Sequence, residues 1–462
     1  MNRTSWMMVA VVSGLMGISG CAERESQQLP RAASAESPDP VAEHEEELPD
    51  DLTEPWGPAQ GPNGEPSEPS PGSSAEPFES DPSESGFDPS GGSAPIGRSE
   101  TIRRMGETTE RHGYSPERVF FATNRQPDLS ESAATDPDLY FGDERGEIAY
   151  GNCEVSIPYR RKTGTLPEPS VLRLEFSQDP AKHVVLMEIA LMPDAEFWRQ
   201  LRAKVDASPE KQLLVFVHGY CATFRDAARR TAQMAFDINY PGPSMFFSWP
   251  AGSASERFDE RSNYLKDLRR AEDSDEDLIA VLEGISRYSG AKRIHLVAHS
   301  MGNFVLTEAL KTMDDRRGPN IPQTPLFDQV ALAAPDINAK EFVERTGKRL
   351  KPFSRRFTVY ASTSDKALWL SKKVNGFEPL GFLNQFSQSG ATQKLFDLVD
   401  ASQLATGWFD SGHIYYGDMP EVLTDFRFVF QGAQATSLQR GLGDTPPMFR
   451  LFPRTRLSHV NP

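Results

Sequence analysis

From Gln212 onward, short apolar runs typical of buried strands alternate with longer segments whose apolar residues have helical spacing. The strand-like runs are QLLVFVHGY, SMFFSWP, RIHLVAHS, QVALAAPD and RFTVYASTSD. The predicted helices between them cover residues 222–238, 267–288, 302–313 and 339–350. Strands that alternate with helices predict a mostly parallel sheet with helices on both faces.

The segment before Gln212 is rich in strand-like runs and lacks the alternation with helices. Its runs are RVFFATNR, CEVSIPY, VLRLEF and HVVLMEIALM. Short antiparallel strands that precede a parallel half are typical of the α/β-hydrolase sheet, so we expect that α/β fold. The predicted folded domain covers residues 109–432, and an irregular tail is expected over 433–462.

The first 21 residues have the pattern of a targeting segment. Arg3 is followed by a mostly apolar run from Trp6 to Ile18, which is too short to span a bilayer. The run ends in Ile-Ser-Gly-Cys, which resembles a bacterial lipoprotein signal in which Cys21 carries the lipid. The resemblance implies a lipid anchor in the cell envelope, and in a Gram-negative cell Ala22 favours the outer membrane. An ordinary signal peptide cut nearby is the alternative.

Residues 22–108 are predicted to be a disordered acidic tether, because they are rich in Pro, Ser, Gly and Glu and contain few apolar residues. Residues 21–100 contain 19 acidic and 3 basic residues, which gives −16 of the chain's net charge of −17. The rest of the chain is therefore close to neutral. It has no basic stripe of the kind that nucleic-acid binding requires.

Ser300 lies at the junction between an apolar strand and an apolar helix, in Ala298-His299-Ser300-Met301-Gly302. This is a variant of the G-x-S-x-G nucleophile elbow, with Ala at its first position. The elbow requires a strand before the serine and a helix after it, and both are predicted here. A helix N-cap is the alternative role for the serine, but capping does not explain a small residue on each side. We therefore predict that Ser300 is a nucleophile.

A nucleophilic serine needs backbone N–H groups that stabilise the oxyanion. In this fold they come from the residue after the nucleophile and from the loop after the third strand. The predicted donors are Met301 and Tyr220, with Cys221 as the second choice in the loop. His218 comes before the serine in the chain, whereas the base of this fold comes last, so we expect His218 to be structural.

His413 is the predicted general base, because it lies near the C-terminus in the chain order that this fold uses. Two aspartates lie between the serine and this histidine and compete as the orienting acid. Asp365 is favoured, since it follows the second strand after the nucleophile's strand and a polar Ser-Thr-Ser turn. Asp336 follows the preceding strand and is expected to cap a helix. Chain order alone does not choose between them.

The cysteine and histidine patterns predict neither a metal nor a cofactor. No CxxC or HExxH motif occurs, and the histidines are scattered. Besides Cys21, the chain has Cys153 and Cys221. We expect them to be separate buried thiols, although an oxidising compartment would allow them to pair.

Several motifs together resemble a bacterial family of α/β hydrolases known as a domain of unknown function and often labelled esterase/lipase-like. The family patterns V-H-G-Y-N-x-x-F, A-Q-x-x-x-D and F-S-W-P match residues 217–224, 232–237 and 247–250. VFFATNR, YASTSDKAL and SGHIYY are also similar, so the resemblance covers about Val119 to Phe428. Cys221 replaces the usual Asn, and Ala298 replaces Gly. The resemblance implies the fold and a serine-hydrolase site, without the substrate.

The sequence as a whole predicts a lipid-anchored serine hydrolase that acts on a small-molecule or lipid ester without a cofactor. Amides and thioesters use the same machinery and remain open, as does the oligomeric state. The alternative is a non-catalytic binding or scaffold protein on a hydrolase fold. Residues 369–410 include an apolar, aromatic stretch that forms either a lid over the site or ordinary core.

Overall fold

A twelve-stranded mixed sheet runs through the part of the chain that the computed structural model describes. The described residues are 101–103, 113–170, 174–252, 260–318, 324–386, 388–389, 394–404, 413–445 and 448–453. The strands are β1 Thr101–Arg103, β2 Tyr114–Pro127, β3 Phe141–Pro158, β4 Val185–Met192, β5 Gln212–Val217, β6 Ser244–Ser248, β7 Arg293–His299, β8 Phe327–Ala333, β9 Ser354–Ala361, β10 Asp397–Asp400, β11 Gly443–Thr445 and β12 Met448–Arg450.

The strand order is β1-β4-β3-β2-β6-β5-β7-β8-β9-β10-β12-β11. All neighbours from β2 to β12 in this order pair in parallel. The strands β1, β4 and β3 join β2 by antiparallel pairing, and β11 closes the other edge antiparallel to β12. The predicted sheet, mostly parallel with antiparallel N-terminal strands, is therefore confirmed.

The central strands are buried on both faces, which is why their sequences read as continuous apolar runs. All six residues of β5 are buried. Leu213, Val215 and Val217 belong to the core on one side of the sheet, whereas Leu214 and Phe216 belong to the core on the other side. The alternation follows from the two-residue period of a strand, and it supplies an apolar layer to the helices of each face.

The helices lie between the parallel strands, as the sequence pattern predicts. They are α1 Asp194–Asp206, α2 Phe224–Asp237, α3 Glu260–Glu272, α4 Asp275–Tyr288, α5 Gly302–Arg317, α6 Ala339–Glu341, α7 Gly347–Leu350, α8 Lys366–Asn375, α9 Tyr415–Asp418 and α10 Pro420–Phe430. A π-helical turn, Phe342–Thr346, separates α6 from α7, so the helix predicted over 339–350 is not uniform.

The long helix predicted over residues 267–288 is two helices, α3 and α4, with Ser274 between them. The hydroxyl of Ser274 donates to the carbonyl of Arg270 and accepts from the side-chain amide of Asn124 in β2. A serine that bonds to backbone in this way competes with continuous helical hydrogen bonding. A side chain of β2, which is distant in the sequence, thus contributes to the break between α3 and α4. The local pattern of apolar residues could not predict this contact.

Both expected ends of the folded domain differ from the structure. Thr101–Arg103, inside the range predicted as a tether, forms β1 on β4, and Ile102 is buried there. The tail predicted to be irregular contains β11 and β12, and β12 pairs with β10. The run VLRLEF is not a strand in its described part, where residues 174–176 form a turn and an irregular segment. The predicted signal segment and residues 22–100 lie outside the described residues.

The described part of the 369–410 segment belongs to the core and does not form a detached lid. After α8, Leu380 is fully buried, and Phe382 forms an isolated bridge with Ser362 at the end of β9. The strand β10 then adds to the sheet beside β9. Residues 387, 390–393 and 405–410 of the segment lie outside the described residues. Among the helices described, none has the length and apolar character needed to cross a membrane.

Candidate active site

Ser300 occupies the sharp turn between β7 and α5 with a left-handed backbone, at a φ of +51°. This conformation costs a non-glycine residue about 1–2 kcal/mol, so the surrounding structure must hold it. The Ser300 N–H donates to the carbonyl of Ala333 at the end of β8 over 3.0 Å. Met301, not Ser300, occupies the N-cap of α5, and the helix has no side-chain cap. The alternative capping role of Ser300 is therefore not observed.

Close backbone contact with the loop after β5 explains the glycine that follows the serine at position 302. A Cβ on Gly302 would lie 2.3 Å from the carbonyl oxygen of His218, a distance that backbone atoms do not tolerate. A Cβ on Gly219 would lie 2.8 Å from both the Cβ of Ser300 and the carbonyl oxygen of His299. The serine turn and this loop are thus packed against each other at the carboxyl end of the sheet.

His413 and Asp365 are brought together by the fold. The Nδ1 atom of His413 lies 2.8 Å from Oδ2 of Asp365, and both side chains are buried. An ionised carboxylate only accepts hydrogen bonds, so Nδ1 donates and Nε2 is left to accept a proton. The other oxygen, Oδ1, accepts the backbone N–H of Leu368 at 3.0 Å and caps α8.

His299 connects the serine turn to His413. Its Nε2–H donates to the carbonyl of His413 at 3.3 Å, and the two ring centroids lie 4.7 Å apart. The ring of Tyr416 also stacks on His299, with a centroid distance of 4.1 Å. The contact of His299 with His413 was not predicted, although the aromatic residues at positions 415 and 416 indicated an aromatic cluster near His413. His413 therefore lies beside the residue that precedes Ser300.

Burial and charge separate the histidines of this region. Burial lowers the pKa of His413, but the hydrogen-bonded charge of Asp365 and the nearby charge of Asp336 outweigh it and leave the pKa raised. Burial holds the pKa of His299 well below its usual value, and it lowers the pKa of His218 to about 3. His413 is thus the histidine of this group that is suited to accept and retain a proton.

The expectation that Asp336 caps a helix is wrong. Its carboxyl oxygens accept hydrogen bonds from the hydroxyls of Tyr264, at 2.8 Å, and Ser371, at 2.6 Å. Asn338 provides the cap of α6 instead. Because Asp365 is itself the cap of α8, capping does not distinguish the two aspartates. The contact with His413 does, since only Asp365 is hydrogen-bonded to the imidazole among the described residues.

The predicted oxyanion donors lie in the serine turn itself and in the loop after β5. The N–H of Met301 is at the start of α5, and it donates to no group among the described residues. Tyr220 follows β5, and its ring packs on Tyr264 with a centroid distance of 5.7 Å. The N–H of Cys221 donates to Oδ2 of Asp267 at 3.2 Å, so this second choice already has an acceptor.

Both described cysteines are free thiols, as expected, but only Cys153 is buried as the expectation required. Cys153 is buried in β3, where burial raises the pKa of the thiol well above its usual value. Cys221 is half-buried at the loop after β5. In the described part of the chain no cluster of His, Cys, Asp or Glu has the arrangement of a metal site.

The loop after β5 is held by Arg125, a residue that the sequence analysis did not single out. Its side chain is 1% exposed, and its guanidinium donates to the Ser248 hydroxyl and to the carbonyls of Gly142, Ala222 and Ala251. Burial lowers the pKa of Arg125 to about 10, so the group stays charged at neutral pH. A buried cation that donates to one hydroxyl and three carbonyls thus fixes the relative positions of the segments beside the serine turn.

His218 takes the structural role that was expected of it. Its Nδ1 lies 3.0 Å from the carbonyl of Gly219, and its Nε2 lies 3.1 Å from the hydroxyl of Ser248. Its ring stacks on Trp249 at 5.3 Å. Both ring nitrogens are therefore engaged within the fold.

The solved structures that are similar to this chain are distant in sequence. A predicted CIB-like hydrolase from Thermoplasma acidophilum is 12% identical, with 69% of this chain and 100% of that chain covered and a TM-score of 0.28. Esterase B from Lactobacillus rhamnosis is 11% identical, with 68% and 89% covered and a TM-score of 0.30. Est1E from Butyrivibrio proteoclasticus, solved with ferulic acid, is 10% identical, with 48% and 90% covered and a TM-score of 0.29.

No curated protein sequence matches the chain. A family model does match, over residues 194–429, which is just over half of the 462 residues. The match begins at α1 and ends within α10, so it includes the serine turn, Asp365 and His413. The chain belongs to the DUF900 family, described as alpha/beta hydrolases of unknown function.

Proposed function

We propose that this protein is a serine hydrolase of the carboxylesterase or lipase-like type, with Ser300 as nucleophile, His413 as base and Asp365 as the orienting acid. The observation that carries the proposal is the pairing of two features at one edge of the sheet. Ser300 has the left-handed backbone of a nucleophile elbow, and the imidazole of His413 is held by Asp365 at 2.8 Å. A purely structural serine has no need of either feature.

The first half of the reaction forms an acyl-enzyme. The Oγ of Ser300 bonds to the ester carbonyl carbon as its proton passes to Nε2 of His413, and the carbonyl π electrons move onto the oxygen. Asp365 stabilises the imidazolium that forms. The tetrahedral intermediate then collapses, its bond to the alcohol oxygen breaks, and His413 returns the proton to the leaving alcohol. In the second half, water replaces the alcohol and releases the acid by the same steps.

The oxyanion is assigned to the backbone N–H groups of Met301 and Tyr220. The Met301 N–H follows the nucleophile directly, as the fold requires, and the tight contact of Gly219 with Ser300 keeps the loop bearing Tyr220 next to the turn. Each donor of this kind lowers the barrier by about 3 kcal/mol. No cofactor takes part in this mechanism.

Carboxylic esters are the proposed substrates, as small molecules or lipids. A series of p-nitrophenyl esters of increasing acyl length tests the acyl preference directly. A rate that rises with chain length supports an apolar acyl pocket, whereas equal rates for acetate and long acyl chains argue against one.

The proposed location is the cell envelope, with the protein anchored by lipid on Cys21 and held away from the membrane surface by the acidic segment that follows. The support is the sequence alone: the short apolar run, the small residues before Cys21 and the composition of residues 22–100. Several acyl chains on one cysteine provide stable attachment, whereas a single chain binds only marginally.

Labelling with a fluorophosphonate probe tests the nucleophile. Wild type should be labelled covalently on Ser300, Ser300→Ala should not react, and the exposed control Ser132→Ala should react like wild type. If wild type fails to react, or if Ser300→Ala is labelled equally, the enzyme proposal is wrong. A binding protein on a hydrolase fold then becomes the better interpretation.

A further inference from the structure

A buried polar cluster, made of Asp336, Tyr264, Ser371 and Asn375, lies beside the candidate site, and the mechanism above does not use it. Each oxygen of the Asp336 carboxyl accepts one hydroxyl, from Tyr264 at 2.8 Å and from Ser371 at 2.6 Å. The side-chain amide of Asn375 donates to both hydroxyls, at 2.6 Å and 3.0 Å. Every hydroxyl proton of this Asp336 cluster is thus directed at the carboxylate.

The cluster ties three segments together. Asp336 follows β8, Tyr264 is in α3, and Ser371 and Asn375 are in α8. The backbone N–H of Asp336 also donates to the carbonyl of Ser300 at 3.3 Å. Asp336 therefore connects two elements of the site. Its backbone N–H bonds to the serine turn, and its carboxylate bonds to α8.

The helix α8 is the element that begins at Asp365. One carboxyl oxygen of Asp365 caps α8, and the other holds His413. Ser371 lies six positions further along the same helix, and its bond to Asp336 fixes the helix against the end of β8. A shift of α8 would move the carboxylate that orients the imidazole.

Asp336 provides the second carboxyl group that faces His413. Burial raises the pKa of Asp336, whereas the hydrogen bonds from Ser371 and Tyr264 act against burial and favour the charged form. The groups around this imidazole are Asp365 from the β9 end, Asp336 from the β8 end and His299 from the serine turn. His299 is kept neutral by burial, and the nearby charge of Arg230 further lowers its pKa. Both carboxylates raise the pKa of His413 against the effect of its burial. The imidazolium formed during acyl transfer therefore faces two carboxylates.

We propose that Asp336 is a positioning residue for the hydrolysis: through Ser371 it holds α8, and with it Asp365, in register with His413, and its own charge stabilises the imidazolium. This inference rests on the proposed function, because it assigns Asp336 a role in that same site. Asp336 acts through its neighbours, since its carboxyl group is hydrogen-bonded to Tyr264 and Ser371 and, among the described residues, not to the hydroxyl of Ser300.

The two parts of the role are separated by two substitutions. Asp336→Asn is isosteric and removes the charge, and its amide retains one acceptor and one donor for the two hydroxyls. Ser371→Ala keeps the charge and removes the link to α8. Ser115→Ala is the matched control, because its hydroxyl donates to the carboxylate of Glu117 at 2.7 Å on β2.

The measurement is the rate of fluorophosphonate labelling of the full chain as a function of pH, together with the melting temperature of each variant. His413 must be neutral to take the serine's proton. Removing a negative charge beside it lowers the pH at which it becomes neutral. Asp336→Asn should therefore shift the acid limb to lower pH, so that its rate at pH 6, relative to its own plateau, exceeds that of wild type about twofold or more. A loss of folding alone does not move this limb.

Ser371→Ala should lower the plateau rate about tenfold and leave the acid limb in place, because small displacements of a catalytic group are costly. Ser115→Ala should behave like wild type. The inference is overturned if the acid limb of Asp336→Asn coincides with that of wild type, or if Ser371→Ala retains the plateau rate within twofold. If Asp336→Asn does not fold, Ser371→Ala decides the result. Failure of the proposed function is distinct, since wild type would then not be labelled at all.

Discussion

Oδ2 of Asp365 and Nδ1 of His413 lie 2.8 Å apart although 48 residues of chain separate them. The carboxylate is fixed from its other side, because Oδ1 accepts the Leu368 N–H at the start of α8. One side chain thus ends a loop, starts a helix and orients an imidazole. The consequence is that a substitution which preserves the cap can still remove the electrostatic role.

Asp365→Asn is expected to lower kcat by about 10⁴, since the amide offers a donor to Nδ1 and reverses the tautomer that leaves Nε2 free. The amide oxygen can still cap α8, so the variant should melt close to wild type. Asp336→Asn is the comparison variant: as a positioning residue, Asp336 should matter far less, so this variant should keep its plateau kcat within about tenfold of wild type. Ester turnover at saturating substrate measures both. If the ranking of the two variants is reversed, Asp336 is the catalytic acid.

The pH dependence of kcat/KM should report the raised pKa of His413. Burial lowers this pKa, and the charges of Asp365 and Asp336 raise it further than burial lowers it, above the ordinary value of 6.5. The neutral form is the active base, so activity should be lost as the pH falls through a midpoint above 6.5. A midpoint at or below 6.5 in the free enzyme would contradict this assignment.

Gly219→Ala should abolish fluorophosphonate labelling or reduce it by at least about 100-fold, because its Cβ would meet the Cβ of Ser300 at 2.8 Å and displace the turn. Gly142→Ala is the control, since a Cβ there would make an ordinary van der Waals contact, 3.7 Å from the carbonyl oxygen of Gln126. The control should label normally. Equal labelling of the two variants would show that the loop after β5 moves to accommodate the added Cβ, and that its close contact with Ser300 is not required for labelling.

Arg125→Met should reduce the free energy of unfolding by about 3–5 kcal/mol, because it leaves three buried or half-buried carbonyls and a buried hydroxyl without their donor. Arg118→Met removes a half-exposed arginine that lies 3.7 Å from Glu154, and it should cost about 0–1 kcal/mol. Urea denaturation gives both values. A cost below about 1 kcal/mol for Arg125→Met would mean that water replaces the guanidinium.

Cys21→Ser should prevent lipid attachment and move the protein from the membrane fraction to the soluble fraction, because no acyl chain then remains to hold it. Cys221→Ser is the control for loss of a thiol and should stay with the membranes. Fractionation after a salt wash and metabolic labelling with a fatty acid measure the two effects. Continued membrane association of Cys21→Ser would contradict the lipoprotein interpretation.

Much of the fold was predictable because the central strands are buried on both faces and their runs are short and apolar. The break at Ser274 was not, because it depends on Asn124, which lies 150 residues away in the chain. The strand β10 was missed because its four residues, Asp-Leu-Val-Asp, are too short and too polar at their ends for a strand pattern.

In the candidate site, the sequence placed Ser300, Asp365 and His413 at the ends of elements that the fold brings to one edge of the sheet. It could not distinguish the surroundings of the two aspartates, because Tyr264 and Ser371 reach Asp336 only in three dimensions. The capping argument failed for the same reason. Arg125 was predicted only to be part of a strand. Nothing in RVFFATNR indicates that its guanidinium is buried and donates hydrogen bonds to four partners.

The two outermost strands of the sheet come from opposite ends of the described chain: β1 near its start and β11 near its finish. Each is only three residues long. Nevertheless, β1 forms backbone hydrogen bonds with the outer edge of β4, and β11 does the same with β12. Exposed strand edges invite pairing with other molecules, and short terminal strands are one way in which proteins limit it. A fragment trimmed to residue 109 would therefore present the bare edge of β4 to its neighbours. Keeping Thr101–Arg103 is thus a condition for a monodisperse preparation as much as for a complete fold.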